Sequence, residues 1–329
     1  MSSALEVSTD LVRSCALIDA AQSLVLLAHV GPDADALGSA LALGLALEAA
    51  GRDVCVAFAE PARVPESLRG LPGQHLVTPV ERVPVHPDLV VTLDVNSRER
   101  LGVLESLLDT ASSSLVIDHH ASNTRFGHHH LVETAAESTT VLVAAVLDRL
   151  GLCIDREIAA NIYAGLATDT VGFRFASAAA HRLAARLLDA GVDPDTLMRP
   201  ITDLHPFAWL GMLAKVLGAA VLDPAAARGR GLVTAVISAE QAVGLRQEEL
   251  DSVIDILRTA HQADVAAVLK QTGPTQWQVS LRSRAGVDVA HAAGQLGGGG
   301  HVRAAGFGFA GTAAAAIAAL TMVLATGSS

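Results

Sequence analysis

The most constraining feature of this chain is an apolar run, residues 115–117, that leads directly into Asp118, His119 and His120. Short runs of Leu, Val and Ile are typical of strands that are buried on both faces of a parallel sheet. In open α/β sheets, ligands bind outside the carboxyl ends of the strands. A carboxylate and two imidazoles at such an end therefore predict an α/β fold with a polar site at that edge of the sheet.

A second apolar run, residues 24–28, ends in a similar way, because His29, Pro32, Asp33 and Asp35 follow it. A proline disfavours helix at the residue before it, so we expect Asp33 to stand at a helix N-terminus. Two strand ends that carry His and Asp suggest a metal centre. The alternative is that Asp33 only caps the helix and that His29 is a hydrogen-bonded core histidine.

The first part of the chain alternates between strand and helix patterns, which predicts a mostly parallel sheet with helices on both faces. The expected strands are Leu24–Ala28, Val54–Ala59, Leu89–Leu93 and Leu115–Ile117. The expected helices are Ala34–Ala50, Leu101–Leu108, Glu137–Leu150 and Arg156–Leu166.

The pattern changes after a helical region, residues 178–217, that is interrupted near Pro194 and Pro200. Three further strands, with one helix between the first two, predict a smaller α/β domain. They are Leu232–Ile237, Asp264–Leu269 and Trp277–Leu281, with the helix at Glu248–Ala260. We therefore expect a first domain at residues 1–200 and a second at 201–329, with the boundary between about 190 and 220.

Composition restricts the partners. The net charge is −11 and aromatic residues make up only 3%, whereas proteins that bind long nucleic acids usually present a basic face. The three cysteines form no CxxC pair, which favours a reducing compartment and a cytoplasmic protein. We see no signal peptide and no stretch that would span a membrane. Any nucleic-acid substrate should therefore be short.

Two single carboxylates extend the predicted metal centre. Asp94 follows the strand 89–93, and Asp169 follows a helical run. Each by itself is more typical of a turn. With Asp33 and Asp35 they give four carboxylates that could meet at one sheet edge, where they would repel one another and take up protons unless cations were present. Two divalent ions would match this charge, and mixed His and Asp ligands favour Mn²⁺, with Mg²⁺ as the alternative.

A second group of residues has the composition of a phosphate site. Four glycines, residues 297–300, precede His301, and successive backbone N–H groups in such a run can surround an anion. In the strand 276–284, Arg282 and Arg284 share one face with Gln278, which could bind a phosphate. The alternatives are a flexible linker for the glycines and a solvated sheet face for the strand.

Taken in order along the chain, these motifs resemble the DHH phosphoesterase family with a C-terminal DHHA1 domain. They are His29 to Asp35, Asp94, Asp118-His119-His120, Asp169, and the glycine run ending at His301 and followed by Ala304-Ala305-Gly306. The resemblance covers almost the whole chain. It implies a parallel-sheet DHH domain, a smaller α/β DHHA1 domain, and an active site in the cleft between them.

The resemblance also implies roles for individual residues. One ion would be held by His29, Asp33 and Asp94, and the other by Asp35, Asp94, His119 and Asp169. Asp94 would bridge the ions, Asp118 would support the site, and His120 would contact the phosphate or donate a proton. The substrate phosphate would be bound by Arg282, Gly298, Gly299, Gly300 and His301.

Length and the GGGGH ending are similar to those of family members that degrade short oligoribonucleotides and dephosphorylate 3′-phosphoadenosine 5′-phosphate (pAp). The implied activity is therefore Mn²⁺-dependent phosphoester hydrolysis, with a homodimer expected by analogy. Two alternatives stay open: a phosphodiesterase for cyclic di-AMP or linear pApA on the same site, and a nucleotide-binding sensor without turnover.

The lysine-rich motif of type II pyrophosphatases is absent, and the chain is too short for the extra domains of RecJ-type exonucleases. One departure is Val171-Gly172 after Thr170, where many family members place Gly first.

Overall fold

The computed structural model describes residues 8–284 and 286–326, and the chain divides into two compact units after Leu204. The first unit contains a sheet of five parallel strands in the order β2-β1-β3-β4-β5. These strands are β1 Ser23–Leu27, β2 Asp53–Ala57, β3 Leu89–Leu93, β4 Ser113–Asp118 and β5 His129–Val132. The central strands β1, β3 and β4 are almost entirely buried, as the apolar runs predicted.

Helices cover this sheet, and their first residues show why they begin where they do. Asp33 accepts hydrogen bonds from the amides of Asp35 and Ala36, and Asp155 caps a later helix in the same way. The helices are α1 Thr9–Ala20, α2 Ala34–Ala49, α3 Leu107–Thr110, α4 Thr139–Leu150, α5 Arg156–Asp169, α6 Ala178–Asp189 and α7 Pro194–Thr202. The main core lies between α2, α4, α5 and one face of the sheet, and a second core covers the other face.

Helix α2 is buried on nearly all sides because its sequence alternates Ala and Leu with small residues. A Cβ at Gly38 would lie 2.6 Å from the carbonyl oxygen of Asn161 on α5, and a Cβ at Gly165 would lie 2.6 Å from the Oδ1 atom of Asp35. Glycine at these two positions therefore allows α2 and α5 to approach closely. This close approach positions Asp35, which lies in the first turn of α2.

The strand order explains where the polar residues gather. Strand β1 lies between β2 and β3, so the connections leave β1 and β3 in opposite directions and open a crevice at their carboxyl ends. His29 follows β1 and Asp94 follows β3, on either side of this crevice. Asp118 ends the next strand, β4.

Three local predictions needed correction. The expected helix 101–108 is mostly a 3₁₀ segment, Arg98–Ser106, interrupted by Gly102 at φ 57°, and only Leu107–Thr110 is α-helical. A Cβ at Gly102 would lie 2.9 Å from the Cβ of Ala59, so close packing fixes this bend. Pro200 lies inside α7 and does not interrupt it. The strand expected to end at Ala59 ends at Ala57.

The second unit contains a mixed six-stranded sheet in the order β10-β11-β9-β8-β7-β6, in which only β7 and β8 are parallel. Its strands are β6 Val221–Asp223, β7 Leu232–Ile237, β8 Val265–Gly273, β9 Gln276–Ser283, β10 Gly299–His301 and β11 Ala304–Ala310. Its helices are α8 Phe207–Gly218, α9 Ala226–Gly229, α10 Gln247–Leu257, α11 Val289–Gln295 and α12 Ala313–Thr326. The two faces of the sheet carry separate cores, one with α11 and α12 and one with α8 and α10.

Among residues 8–284 and 286–326, no helix combines the length and the apolar character that a membrane crossing needs.

Candidate metal centre

The first group of predicted ligands lies at the crevice between β1 and β3. The Nε2 atom of His29 is 3.8 Å from Oδ2 of Asp33 and 3.8 Å from Oδ2 of Asp94. The helix cap predicted for Asp33 is present, because its Oδ1 atom accepts from the amides of Asp35 and Ala36, and its Oδ2 atom faces His29. Asp94 adopts φ 62°, which is uncommon for a non-glycine residue and is often found at functional sites.

The second group surrounds His119. Its Nε2 atom lies 3.2 Å from Asp169 Oδ2, 3.5 Å from Asp94 Oδ1 and 3.8 Å from Asp35 Oδ2. Its Nδ1 atom is 3.2 Å from the carbonyl oxygen of Ala136, which accepts a hydrogen bond when Nδ1 carries the proton. This bond orients the ring and directs Nε2 toward the three carboxylates, which is how metal-binding histidines are usually held.

Asp118 lies behind these groups and is completely buried. Its Oδ1 atom accepts hydrogen bonds from the amide of His119 and from Nδ1 of His120, at 2.8 and 2.7 Å. Its Oδ2 atom accepts a hydrogen bond from the side-chain amide of Asn123 at 2.6 Å. Asp118 therefore fixes the His120 ring, with the proton on Nδ1, rather than facing the crevice.

Sequence reasoning missed three residues that contact the predicted ligands: Arg100, Asn123 and Thr139. The Nη2 atom of Arg100 is 2.7 Å from Nδ1 of His29, and the Thr139 hydroxyl donates to Asp94 Oδ1 at 2.8 Å. No local sequence pattern marks any of the three, because each contact joins residues that are far apart in the chain or lie outside the predicted motifs.

The Nδ1 atom of His29 has two polar neighbours. The Nη2 atom of Arg100 lies 2.7 Å away and the carbonyl oxygen of Val30 lies 2.9 Å away. A neutral ring accepts from Arg100 when its proton is on Nε2 and donates to Val30 when its proton is on Nδ1. A cation held at Nε2 would need the second tautomer.

Burial and mutual repulsion perturb the acids of this cluster. Burial, with the nearby charge of Asp94, raises the pKa of Asp35 to about 7, and burial with Asp35 raises the pKa of Asp169 to about 7. Burial also raises the pKa of Asp94. Although burial opposes it, the hydrogen bond to Asp169 and the charges of Asp35 and Asp94 raise the pKa of His119 to about 11. Without cations, the cluster takes up protons.

These shifts make the stability of the metal-free chain depend on pH. Asp35 and Asp169 have folded-state pKa values of about 7 against an ordinary 3.8, so the folded state holds more protons than the unfolded state between these values. The contribution of these two carboxyls to stability therefore falls as pH rises from about 4 to about 7. The stabilising contribution of a protonated His119 is complete below 6.5 and is lost only as pH rises toward about 11.

The donor set suits divalent cations. Three side chains, His29, Asp33 and Asp94, present ligand atoms that all lie within 4.8 Å of one another, and a second such set is formed by Asp35, Asp94 and His119. Asp94 belongs to both sets, with Oδ2 toward His29 and Oδ1 toward His119. Carboxylate oxygens and imidazole nitrogens are ligands that Mn²⁺ accepts, and no thiolate is among them. The residues therefore fit divalent cations, and Asp94 is common to the two sets.

The predicted phosphate contacts lie in the second unit. Arg282 is on β9, where its Nε atom is 4.0 Å from Asp255 on α10. The glycine run is not a flexible linker, because Gly299 and Gly300 form the edge strand β10 with His301. Glycine is required at Gly298, where a Cβ would lie 2.1 Å from the carbonyl oxygen of Gly306, whereas a Cβ at Gly299 would have no atom within 4 Å.

Two of the glycine amides that were predicted to surround an anion are already hydrogen-bonded within the chain. The amides of Gly297 and Gly298 donate to the carbonyl oxygens of Gly294 and Ala293, and so end helix α11. They are not available to an anion. Any amide contact to a phosphate must begin at Gly299.

Comparison with known proteins shows which family this chain belongs to. The model of the DHH family N-terminal domain matches residues 23–166, and that of the DHHA1 domain matches residues 229–326. The chain is 34% identical to the bifunctional oligoribonuclease and PAP phosphatase NrnA of Thermus thermophilus over 285 residues, which are 84% of this chain and 81% of that protein. This chain belongs to the DHH family. As a DHHA1-containing member, it is a hydrolase that acts on phosphoester bonds.

Other relatives of this DHH protein support the fold. An uncharacterized protein of Mycoplasma pneumoniae, the MG371 homolog, is 25% identical over 86% of this chain and 85% of its own length. The crystal structure of an exopolyphosphatase-related protein from Bacteroides fragilis superimposes with a TM-score of 0.85 at 23% identity, and covers 96% of this chain and 95% of that chain. The DHH domain of PF0399 matches with a TM-score of 0.58 at 14% identity, over 98% of this chain and 94% of that chain.

Proposed function

We propose that this DHH protein hydrolyses short oligoribonucleotides to mononucleotides and removes the 3′-phosphate of pAp, with two Mn²⁺ ions as cofactors. The observation that carries the proposal is the pair of ligand sets that share Asp94. The printed activities of the Thermus relative supply the substrate classes. Bound divalent ions would lower the pKa of a water molecule and neutralise charge on the phosphoryl oxygens.

The chain's own residues would orient the ligands and handle the proton. His29, Asp33 and Asp94 would hold one ion, and the second would be held by Asp35, Asp94, His119 and Asp169. Asp118 holds Nδ1 of His120, so Nε2 is the nitrogen that would face the substrate. Although burial opposes it, the hydrogen bond to Asp118 and the charge of Asp94 raise the pKa of His120, which favours a doubly protonated ring. Such a ring would contact the phosphate through Nε2–H or give that proton to the leaving oxygen.

We propose that the second unit limits substrate length by binding another phosphate. Arg282 would supply the charge and His301 a hydrogen bond, with backbone contact at Gly299 and Gly300 and close packing at Gly298. The Asp255 carboxylate near Arg282 would have to give way to a phosphate. The formal net charge of −11 agrees with a short substrate, because affinity for long nucleic acid comes mainly from basic residues on phosphates. A cytoplasmic location and a homodimer also remain predictions.

The test is Mn²⁺-dependent hydrolysis of a diribonucleotide by the Asp94→Asn variant. The substitution keeps the size of the side chain and removes one ligand charge from both sets, so we expect turnover to fall by at least about 100-fold. Asp155→Asn is a matched control, because Asp155 accepts hydrogen bonds only from the amides of Glu157 and Ile158 at the start of α5, and asparagine also caps helices well. Equal turnover in the two variants would refute the assignment.

A substrate panel separates the alternatives. Wild-type protein with Mn²⁺ should release nucleotide from a diribonucleotide and phosphate from pAp. Faster cleavage of cyclic di-AMP or pApA than of either would favour the cyclic-dinucleotide pathway on the same site. Binding of these nucleotides without any turnover would instead identify a sensor.

A further inference from the structure

Helix α4 begins at the metal centre, and the residue before it provides no side-chain acceptor for the first backbone amides of the helix. The residue before the helix, Ser138, makes no side-chain cap, and its hydroxyl instead pairs with that of Thr140 at 2.7 Å. The first amides of a helix have no partner within the helix and need one when buried. Residues 138–140 are completely buried.

The missing cap comes from a distant part of the chain. Asp35 accepts the amide of Thr139 on Oδ2 at 2.7 Å and the amide of Thr140 on Oδ1 at 2.9 Å. Both oxygens of this buried carboxylate are thus held by the positive end of a twelve-residue helix. The remaining lone pair of Oδ2 faces Nε2 of His119 at 3.8 Å.

Thr139 makes a second contact of a different kind. Its hydroxyl donates to Oδ1 of Asp94 at 2.8 Å, and this oxygen lies 3.5 Å from Nε2 of His119. One residue therefore holds one carboxylate through its backbone and the other through its side chain. Asp35 and Asp94 are the carboxylates of the second ligand set.

We propose that Thr139 is a positioning residue that fixes Asp35 and Asp94 relative to each other, so that both present oxygens to one cation. This inference rests on the proposed function, since it concerns the cation that the function requires. Thr139 itself does not bind the cation, because its hydroxyl proton is directed to Asp94. The distance between the two carboxylates depends on its hydroxyl.

The test is Mn²⁺ affinity, measured by calorimetry on metal-stripped full-length protein, for wild type, Thr139→Val and Thr139→Ser. Valine keeps the shape and the backbone amide but removes the donor, and loss of such an outer partner weakens metal affinity by roughly 10- to 100-fold. Serine keeps the hydroxyl, so it should restore most of the affinity. The maximal rate at saturating Mn²⁺ and substrate should follow the same order, with KM for the nucleotide little changed.

Ser138→Ala is the matched control, because it removes a neighbouring buried hydroxyl that contacts Thr140 and no carboxylate. It should bind Mn²⁺ like the wild type even if it unfolds at a lower temperature. If Thr139→Val does not fold, Thr139→Ala takes its place, because it removes the donor without placing a methyl group against Asp94. A folded variant without the hydroxyl that binds Mn²⁺ as tightly as wild type would overturn the inference. Failure of the wild type to bind Mn²⁺ would instead overturn the proposed function.

Discussion

Substituting Gly165 by alanine tests whether helix packing sets the position of a metal ligand. The added Cβ would lie 2.6 Å from Asp35 Oδ1, 2.6 Å from Thr140 Cγ2 and 2.9 Å from Asp35 Cα. The last atom belongs to the backbone, so it can withdraw only if α2 moves. The Oδ1 atom is also the acceptor of the Thr140 amide, so the clash acts on the carboxylate and on its support together.

The magnitude follows from two opposing terms. Overpacking of a tight interior costs about 1–3 kcal/mol, whereas alanine is favoured over glycine inside a helix by about 1 kcal/mol. We therefore expect Gly165→Ala to lower the free energy of unfolding by about 0–2 kcal/mol, a small loss. Mn²⁺ affinity should fall much further, by roughly 10- to 100-fold, because Asp35 is displaced.

Denaturant unfolding and Mn²⁺ calorimetry measure the two effects separately. Gly211→Ala is the control, because Gly211 lies inside α8 and a Cβ there meets no atom within 4 Å. It should gain about 1 kcal/mol of stability and leave Mn²⁺ binding unchanged. If Gly165→Ala gained the same stability and bound Mn²⁺ normally, the packing argument would be refuted.

Three further outcomes are expected. Below about pH 7 the raised pKa values of Asp35 and Asp169 keep both carboxyls protonated in the folded state, so protons compete there with Mn²⁺. The rise in melting temperature on adding Mn²⁺ should therefore be larger at about pH 8 than at about pH 6. An equal rise at the two pH values would contradict the assigned shifts. Gly298→Ala should destabilise the second unit, whereas Gly299→Ala should leave its unfolding unchanged. Gly299→Ala should instead raise KM for a dinucleotide. An unchanged KM in this variant would argue against a backbone phosphate contact at Gly299. Asn123→Leu removes the amide that donates to Asp118 Oδ2, so it should lower the maximal rate about 10-fold while Mn²⁺ affinity is retained. Kinetics and titration calorimetry measure the two quantities.

The strand ends could be predicted from the sequence because His29, Asp94 and Asp118 each directly follow a short apolar run. Asp118, His119 and Asp94 were placed by this pattern alone, and the structure brings the two His-bearing strand ends to the same edge. The predicted cap by Asp33 is confirmed, whereas its role as a metal ligand stays a prediction, for which its second oxygen, facing His29, leaves room.

Other features could not be predicted, because they depend on contacts between residues far apart in sequence. The Thr139 bonds span 104 and 45 residues, and no local pattern distinguishes this threonine from its neighbour. The 3₁₀ segment after Asp94 follows from the close packing of Gly102 rather than from its apolar spacing. The glycine run was interpreted as a row of free amides, but two of these amides are hydrogen-bonded to the helix that precedes the run.

The most direct test of the central claim is anomalous diffraction at the manganese absorption edge from crystals of the full chain grown with Mn²⁺. We expect two neighbouring peaks that both contact Asp94, one also contacting His29 and Asp33, and the other Asp35 and His119. A single peak, or two peaks that share no ligand, would contradict it.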